Sequence, residues 1–208
     1  MRARTFLGVC GAVAVLTTAG CGSTQLGVTA ATAPQQQQQQ QQPPAAQLTD
    51  TKYGPLSAAD MKLMNLVQET SIREIELSQW ALQRSTNQQV RASAQMIVTQ
   101  HVELQKEDLA AAAKLGLTLP DRPAPDMQVG IDRMQQENGK TFDVDYTNTL
   151  RQAHGEAFIL IAQVRADTRN SVVRPLADSA NNFIKMHMQV LETTGEVDWG
   201  QLPVPDAS

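Results

Sequence analysis

The stretch from Asn87 to Leu115 constrains this chain most. Val90, Ala94, Ile97, His101, Leu104, Asp108, Ala111 and Leu115 follow one another at alternating steps of four and three. That spacing puts all eight on one face of a single helix. A face of that length has to be covered by other helices carrying matching faces, and the chain holds three. Leu63, Val67, Thr70, Glu74, Leu77 and Ala81 form one. Leu150, His154, Ala157, Ile161 and Val164 form another, and Leu176, Ala180, Phe183, His187 and Val190 the last. Four such stripes predict an all-α fold, an antiparallel four-helix bundle. An aromatic content of 4% suits helix packing better than a sheet sandwich.

Local signals set the boundaries. Ser57 caps the first helix, with Asp60 in its first turn. Thr86 opens the second, with Gln89 as its capping-box partner. Gly116 ends that helix, and Pro120, Pro123 and Pro125 block its continuation. A short extra helix is predicted from Asp126 to about Glu137, before the third long one. That helix runs from about Thr141 to Asp167, with Phe142 and Tyr146 packing where it begins. A turn at Arg169–Asn170 leads to the last helix, from Ser171 or Arg174 to Thr193, with Pro175 in its first turn. The bundle thus covers 57–194. Residues 195–208 read as a loose tail, with Trp199 tucked against the domain.

Residues 1–20 read as a processing signal. Arg2 and Arg4 precede an apolar run, Phe6 to Leu16, that is too short to span a membrane. Thr18-Ala19-Gly20-Cys21 has the form of a bacterial lipobox, which makes Cys21 the lipidation site; an ordinary secretory peptide is the alternative. Residues 21–56 read as a flexible tether, with Gln35 to Gln42 between Pro34 and Pro43-Pro44. The expected location is the bacterial cell envelope, outside the cytoplasm, with the membrane as partner through the lipid. Cys10 leaves with the signal, so no cysteine remains for a disulfide or a thiolate site. A net charge of -4 without a Lys/Arg cluster argues against a nucleic-acid partner.

Each long helix carries one potential ligand on its stripe: Glu74, His101, His154 and His187, which uses all three histidines of the chain. An up-down-up-down path puts the Thr86 and Asn170 turns at one end. Counted from those turns, the four stand at roughly 18, 21, 24 and 26 Å in chain order. Glu74 then pairs with His101 and His154 with His187, the two pairs offset by about one helical turn. Neutral imidazoles and a carboxylate suit zinc, copper or iron. The alternative is that the four satisfy one another, Tyr146 or water by hydrogen bonds, with no metal. A conventional di-iron centre needs Glu-x-x-His on two helices. The residues three before the histidines are Val98, Arg151 and Ile184, so that centre is rejected and a single-metal site stays open.

Other signals point to structure. Met186-His187-Met188 resembles a soft copper ligand set, but adjacent helical residues point apart, which favours packing. Glu103, Glu107 and Asp108 read as a solvated face, with Asp108 at the stripe's margin. Asp143 and Asp145 read as capping or hydrogen-bonding groups. No catalytic nucleophile motif or phosphate-binding glycine loop is present.

A family resemblance rests on several of these residues in order. They are Glu74-Ile75-Glu76-Leu77 with Ala81, Val90 and Met96 before His101, Leu117-Thr118-Leu119-Pro120, Phe142-Asp143 with Tyr146, His154 and His187. This resembles the bacterial domain of unknown function 4142, a secreted or membrane-anchored ferritin-like family, over about Ser57 to Thr194. The resemblance implies a ferritin-like bundle outside the cytoplasm and no established activity. Family members often carry an acid before the second-helix histidine, where this chain has Gln100. Three functions are expected in descending order: a metal-binding module, a structural or protein-interaction bundle of the envelope without metal, and a metalloenzyme.

Overall fold

The computed structural model describes residues 48–204. The signal segment, Cys21 and the glutamine run lie outside the described residues. Five helices follow a two-stranded antiparallel ribbon: β1 (Leu48–Thr49), β2 (Leu56–Ser57), α1 (Ala58–Arg84), α2 (Gln88–Leu115), α3 (Pro125–Met134), α4 (Gly139–Asp167) and α5 (Val173–Glu192). Thr49 pairs with Leu56 and Leu48 with Ser57. No helix among the described residues is long and apolar enough to cross a membrane.

The caps explain where the helices begin and end. The Ser57 hydroxyl accepts from the Asp60 amide while the Asp60 carboxylate accepts from the Ser57 amide, a reciprocal capping box. The second helix starts one residue later than Thr86 predicts. Asn87 is the cap, its side-chain oxygen accepting from the amides of Gln89 and Val90. Gly116 ends α2 in the left-handed conformation at φ 70°, and the Leu117 amide returns to the Ala112 carbonyl.

The folded part begins inside the stretch read as tether. Leu56 is buried, and the Thr51–Gly54 turn docks on the α4–α5 turn through the Asn170 amide, which donates to Thr51 Oγ1 and to the Gly54 carbonyl. Gly54 is required there: a Cβ would lie 2.6 Å from the Arg169 carbonyl oxygen, and its φ is +98°. At the other end, Asn148 holds Glu196 and Asp198, so the start of the tail is pinned. Trp199 is not tucked in. It is 59% exposed, with the Arg151 guanidinium 5.9 Å from its ring centroid.

The path of the chain differs from up-down-up-down. Each long helix packs on two others, in the cyclic order α1, α2, α5, α4. Contacts between neighbours run in opposite directions. Ser78 meets Tyr146 and Glu74 meets His154 across α1 and α4; Asn87 meets Thr194 and Gln100 meets His187 at α2 and α5. The path is therefore up-down-down-up. The Ser85–Asn87 and Thr168–Asn170 turns lie at opposite ends, and the segment 116–138 with α3 crosses the length of the bundle. Arg84 fixes where that crossing ends, donating to the carbonyls of Met134, Gln135 and Glu137. Gln68 fixes its start by donating to the Pro120 carbonyl.

Two apolar cores fill the bundle. One holds Leu63, Met64, Val67, Leu104, Ile161, Leu176 and Ile184; the other holds Leu77, Ile97, Met134, Phe142, Tyr146, Leu150 and Leu191. On every long helix the polar stripe residue falls between the two sets. A polar layer therefore separates two apolar cores. Phe142 and Tyr146 stack at 5.8 Å between ring centroids, as expected where α4 begins.

Candidate metal centre

All four stripe residues converge. One ligand atom from each of Glu74, His101, His154 and His187 lies within 4.8 Å of the others, and all four side chains are buried. Glu74 Oε2 is 3.0 Å from His101 Nε2 and 3.5 Å from His154 Nε2. His154 Nε2 is 2.9 Å from His187 Nδ1. Both expected pairs form, but the expected one-turn offset between them is absent. Glu74, His101 and His154 sit near the middle of their helices, and His187, in the C-terminal half of the shorter α5, lies level with His154. Reversing the direction of α4 and α5 therefore keeps them at the same level, and Glu74 Oε2 reaches both pairs.

The outward ring nitrogens are all engaged by oxygen. His154 Nδ1 lies 2.7 Å from the Leu150 carbonyl, His187 Nε2 lies 2.7 Å from Gln100 Oε1, and His101 Nδ1 lies 3.1 Å from Ser71 Oγ. A carbonyl can only accept, so His154 carries its hydrogen on Nδ1 and turns a lone pair inward in its neutral form. With the Gln100 amide as placed, the same holds for His187, whose inward atom is Nδ1. His101 Nε2 and Glu74 Oε2 are close, yet neither makes an aligned hydrogen bond.

The electrostatics follow from burial. Burial alone would raise the Glu74 carboxyl, but His154, His101 and Arg73 together hold it well below the usual carboxylate range. Arg73 donates to Glu74 Oε1 at 3.2 Å. Burial lowers His154 against the attraction of Glu74, and burial together with the other two rings pushes His187 down to about 2. At neutral pH, His187 is an uncharged base, and the layer offers a carboxylate and nitrogen lone pairs to one point.

Arg73, Ser71 and Gln100 join the site through Glu74, His101 and His187. Ser71 had a usable signal, since it lies three before Glu74 and shares its helix face. Arg73 had none, because neighbouring helical residues point apart. Gln100 supplies the side-chain oxygen that orients His187. Tyr146 is not a partner of the layer; its hydroxyl meets Ser78 Oγ at 3.0 Å. Arg151, at the position a di-iron glutamate needs, bonds Glu192 instead. Asp145 pairs with Arg133 at 2.6 Å, whereas Asp143 is buried with Oδ1 unpartnered. Asp108 does not belong to a solvated face: it is 0% exposed, and neither carboxylate oxygen has a partner among the described residues.

The model of a family described as "Domain of unknown function (DUF4142)" matches residues 34–194. No curated protein and no solved structure matches the chain.

Proposed function

The chain belongs to the DUF4142 family, and from that premise we propose that its core binds one transition-metal ion through Glu74, His101, His154 and His187. One observation carries the reading. Each imidazole spends its outer nitrogen on an oxygen and turns its inner nitrogen toward a common point shared with the Glu74 carboxylate. That is the arrangement by which outer partners orient histidine ligands. It also leaves His154 Nε2 and His187 Nδ1 facing each other at 2.9 Å, each with a lone pair, and an ion between the four side chains satisfies both. Three nitrogens and one carboxylate oxygen suit zinc, copper or iron, and copper(II) stands highest of the divalent ions by intrinsic affinity.

The fold proposed for this centre is a ferritin-like four-helix bundle. Its support is the up-down-down-up path with a single long crossing, 116–138, between the second and third long helices. The proposed address is the cell envelope, on a lipid carried by Cys21, and its support is the sequence of residues 1–21.

Protein purified without a histidine tag is expected to carry about one equivalent of metal by elemental analysis, and His154→Ala to lose it. Equal metal content in the variant would overturn the centre. In that case the polar layer is a register device, a reading favoured by the Arg73–Glu74 and Ser71–His101 contacts, which need no ion.

Gln100→Leu is expected to weaken metal binding by roughly 10–100-fold, the usual effect of removing an orienting partner. Gln100 is only partly buried, so its circular dichroism spectrum is expected to stay that of the parent. A competition titration with a chromophoric chelator measures the affinity, and an unchanged constant would remove Gln100 from the centre.

A further inference from the structure

A cavity of about 40 Å³ adjoins the four ligands on the side of Leu104 and Ile161. All four ligand residues contribute to its wall, and the remainder is carbon apart from Thr70. The Thr70 hydroxyl is already spent on the Leu66 carbonyl at 2.7 Å. The space therefore offers a guest no hydrogen-bond donor outside the four ligand residues.

Resting on the metal centre proposed above, we infer that the bound ion keeps a coordination position open toward this cavity and takes there a neutral diatomic ligand of the dioxygen type. Size decides between classes of guest. One water needs about 10–15 Å³ measured in this way, whereas sites for organic molecules run to about 300–1,000 Å³. The cavity is too small for an organic substrate and has room for a molecule of two or three heavy atoms. Polarity decides the rest. An anion in a carbon-lined space loses its hydration without replacement, and apolar cavities of this kind stay dry and accept apolar gases. Four protein ligands leave a five- or six-coordinate ion such as iron(II) with an unfilled position. Access is also provided. Leu66 and Thr70 on α1 and Ala153 and Ala157 on α4 are only partly buried, so the cavity reaches the surface along the α1–α4 seam.

The test uses the full chain, loaded with iron(II) without oxygen and exposed to nitric oxide as the diatomic probe. Iron content is measured first, and the ferrous nitrosyl is then read by electron paramagnetic resonance. One nitrosyl per iron is expected. Ala157→Leu fills the cavity without touching a ligand. It is expected to keep the iron and to weaken the nitrosyl at least 10-fold. Ala153→Leu, at the mouth, provides the same test should the first variant fold poorly by circular dichroism. Bound iron without a nitrosyl overturns this inference and leaves the metal centre standing. Absence of iron overturns this inference, and the metal content of the protein offered zinc(II) or copper(II) then decides whether the centre stands. A nitrosyl of undiminished strength in a folded, filled variant overturns the role of the cavity.

Discussion

Glu74→Gln is expected to be the most damaging single change in the polar layer, lowering the stability of the metal-free protein by about 3 kcal/mol. Glu74 is 2% exposed and faces Arg73, His101 and His154. Removing its charge leaves the Arg73 guanidinium buried without its ion-pair partner, a loss that runs to about 3–5 kcal/mol where the partner has no escape. Arg73 is 6% exposed, with an aliphatic stem that lets its head move toward water, so the lower end applies. The pH dependence carries a second signature. The folded-state carboxyl sits well below its ordinary value, so the unfolded chain binds the first proton on acidification. The parent's extra stability is present above the ordinary carboxylate range and is lost as pH falls toward the folded value. Urea unfolding in the presence of a chelator, at pH 7 and at several acid values, measures both effects. The difference between parent and variant is expected to shrink as the pH falls; a constant difference would mean that the charge of Glu74 is not what stabilises the layer.

Asp108→Asn is expected to act in the opposite direction. Burial, with no partner on either oxygen, pushes this carboxyl up to about 8 from an ordinary 3.8. Between those values the unfolded chain has released the proton and the folded chain still holds it. Fewer protons on the unfolded state means that stability falls as pH rises, by about 1.4 kcal/mol per unit while the window lasts. Asparagine has nearly the same shape and no such titration. The variant is therefore expected to gain little near pH 4 and on the order of 2–4 kcal/mol by pH 7, with the gain levelling off above pH 8. Denaturation midpoints of both proteins at pH 5, 6, 7 and 8 give the answer. Parallel curves would show that Asp108 reaches water or a partner. No contact explains why a carboxyl occupies this position.

Much of this protein could be read from residue spacing. The four-three steps identified four long helices, and Ser57, Gly116 and Pro175 marked ends that the structure keeps. The same stripes located Glu74, His101, His154 and His187, because a polar residue in an apolar stripe is placed by the helix period alone. Asp108 stands at the margin of the same stripe, where it reads with Glu103 and Glu107 as a solvated face, yet it is buried. Burial there is decided by the helices that cover α2, and one helix's sequence does not contain them. Thr86 and Asn87 are both good caps; one residue of difference turns on which side chain reaches the first free amides.

What the sequence alone determined was periodic and local: helix number, approximate ends, and the level of each polar residue along its own helix. What tertiary structure decided was direction. The segment 116–138 is long enough to close a short loop or to cross the bundle, because extended chain covers about 3.3–3.6 Å per residue. Spacing inside the helices is identical in the two cases. The choice lies in contacts between residues far apart in the chain, with Gln68 holding Pro120 at one end and Arg84 holding the carbonyls of Met134 to Glu137 at the other. Only that choice places Gln100 on His187 and His154 on Glu74, and so turns four polar residues of similar height into one centre.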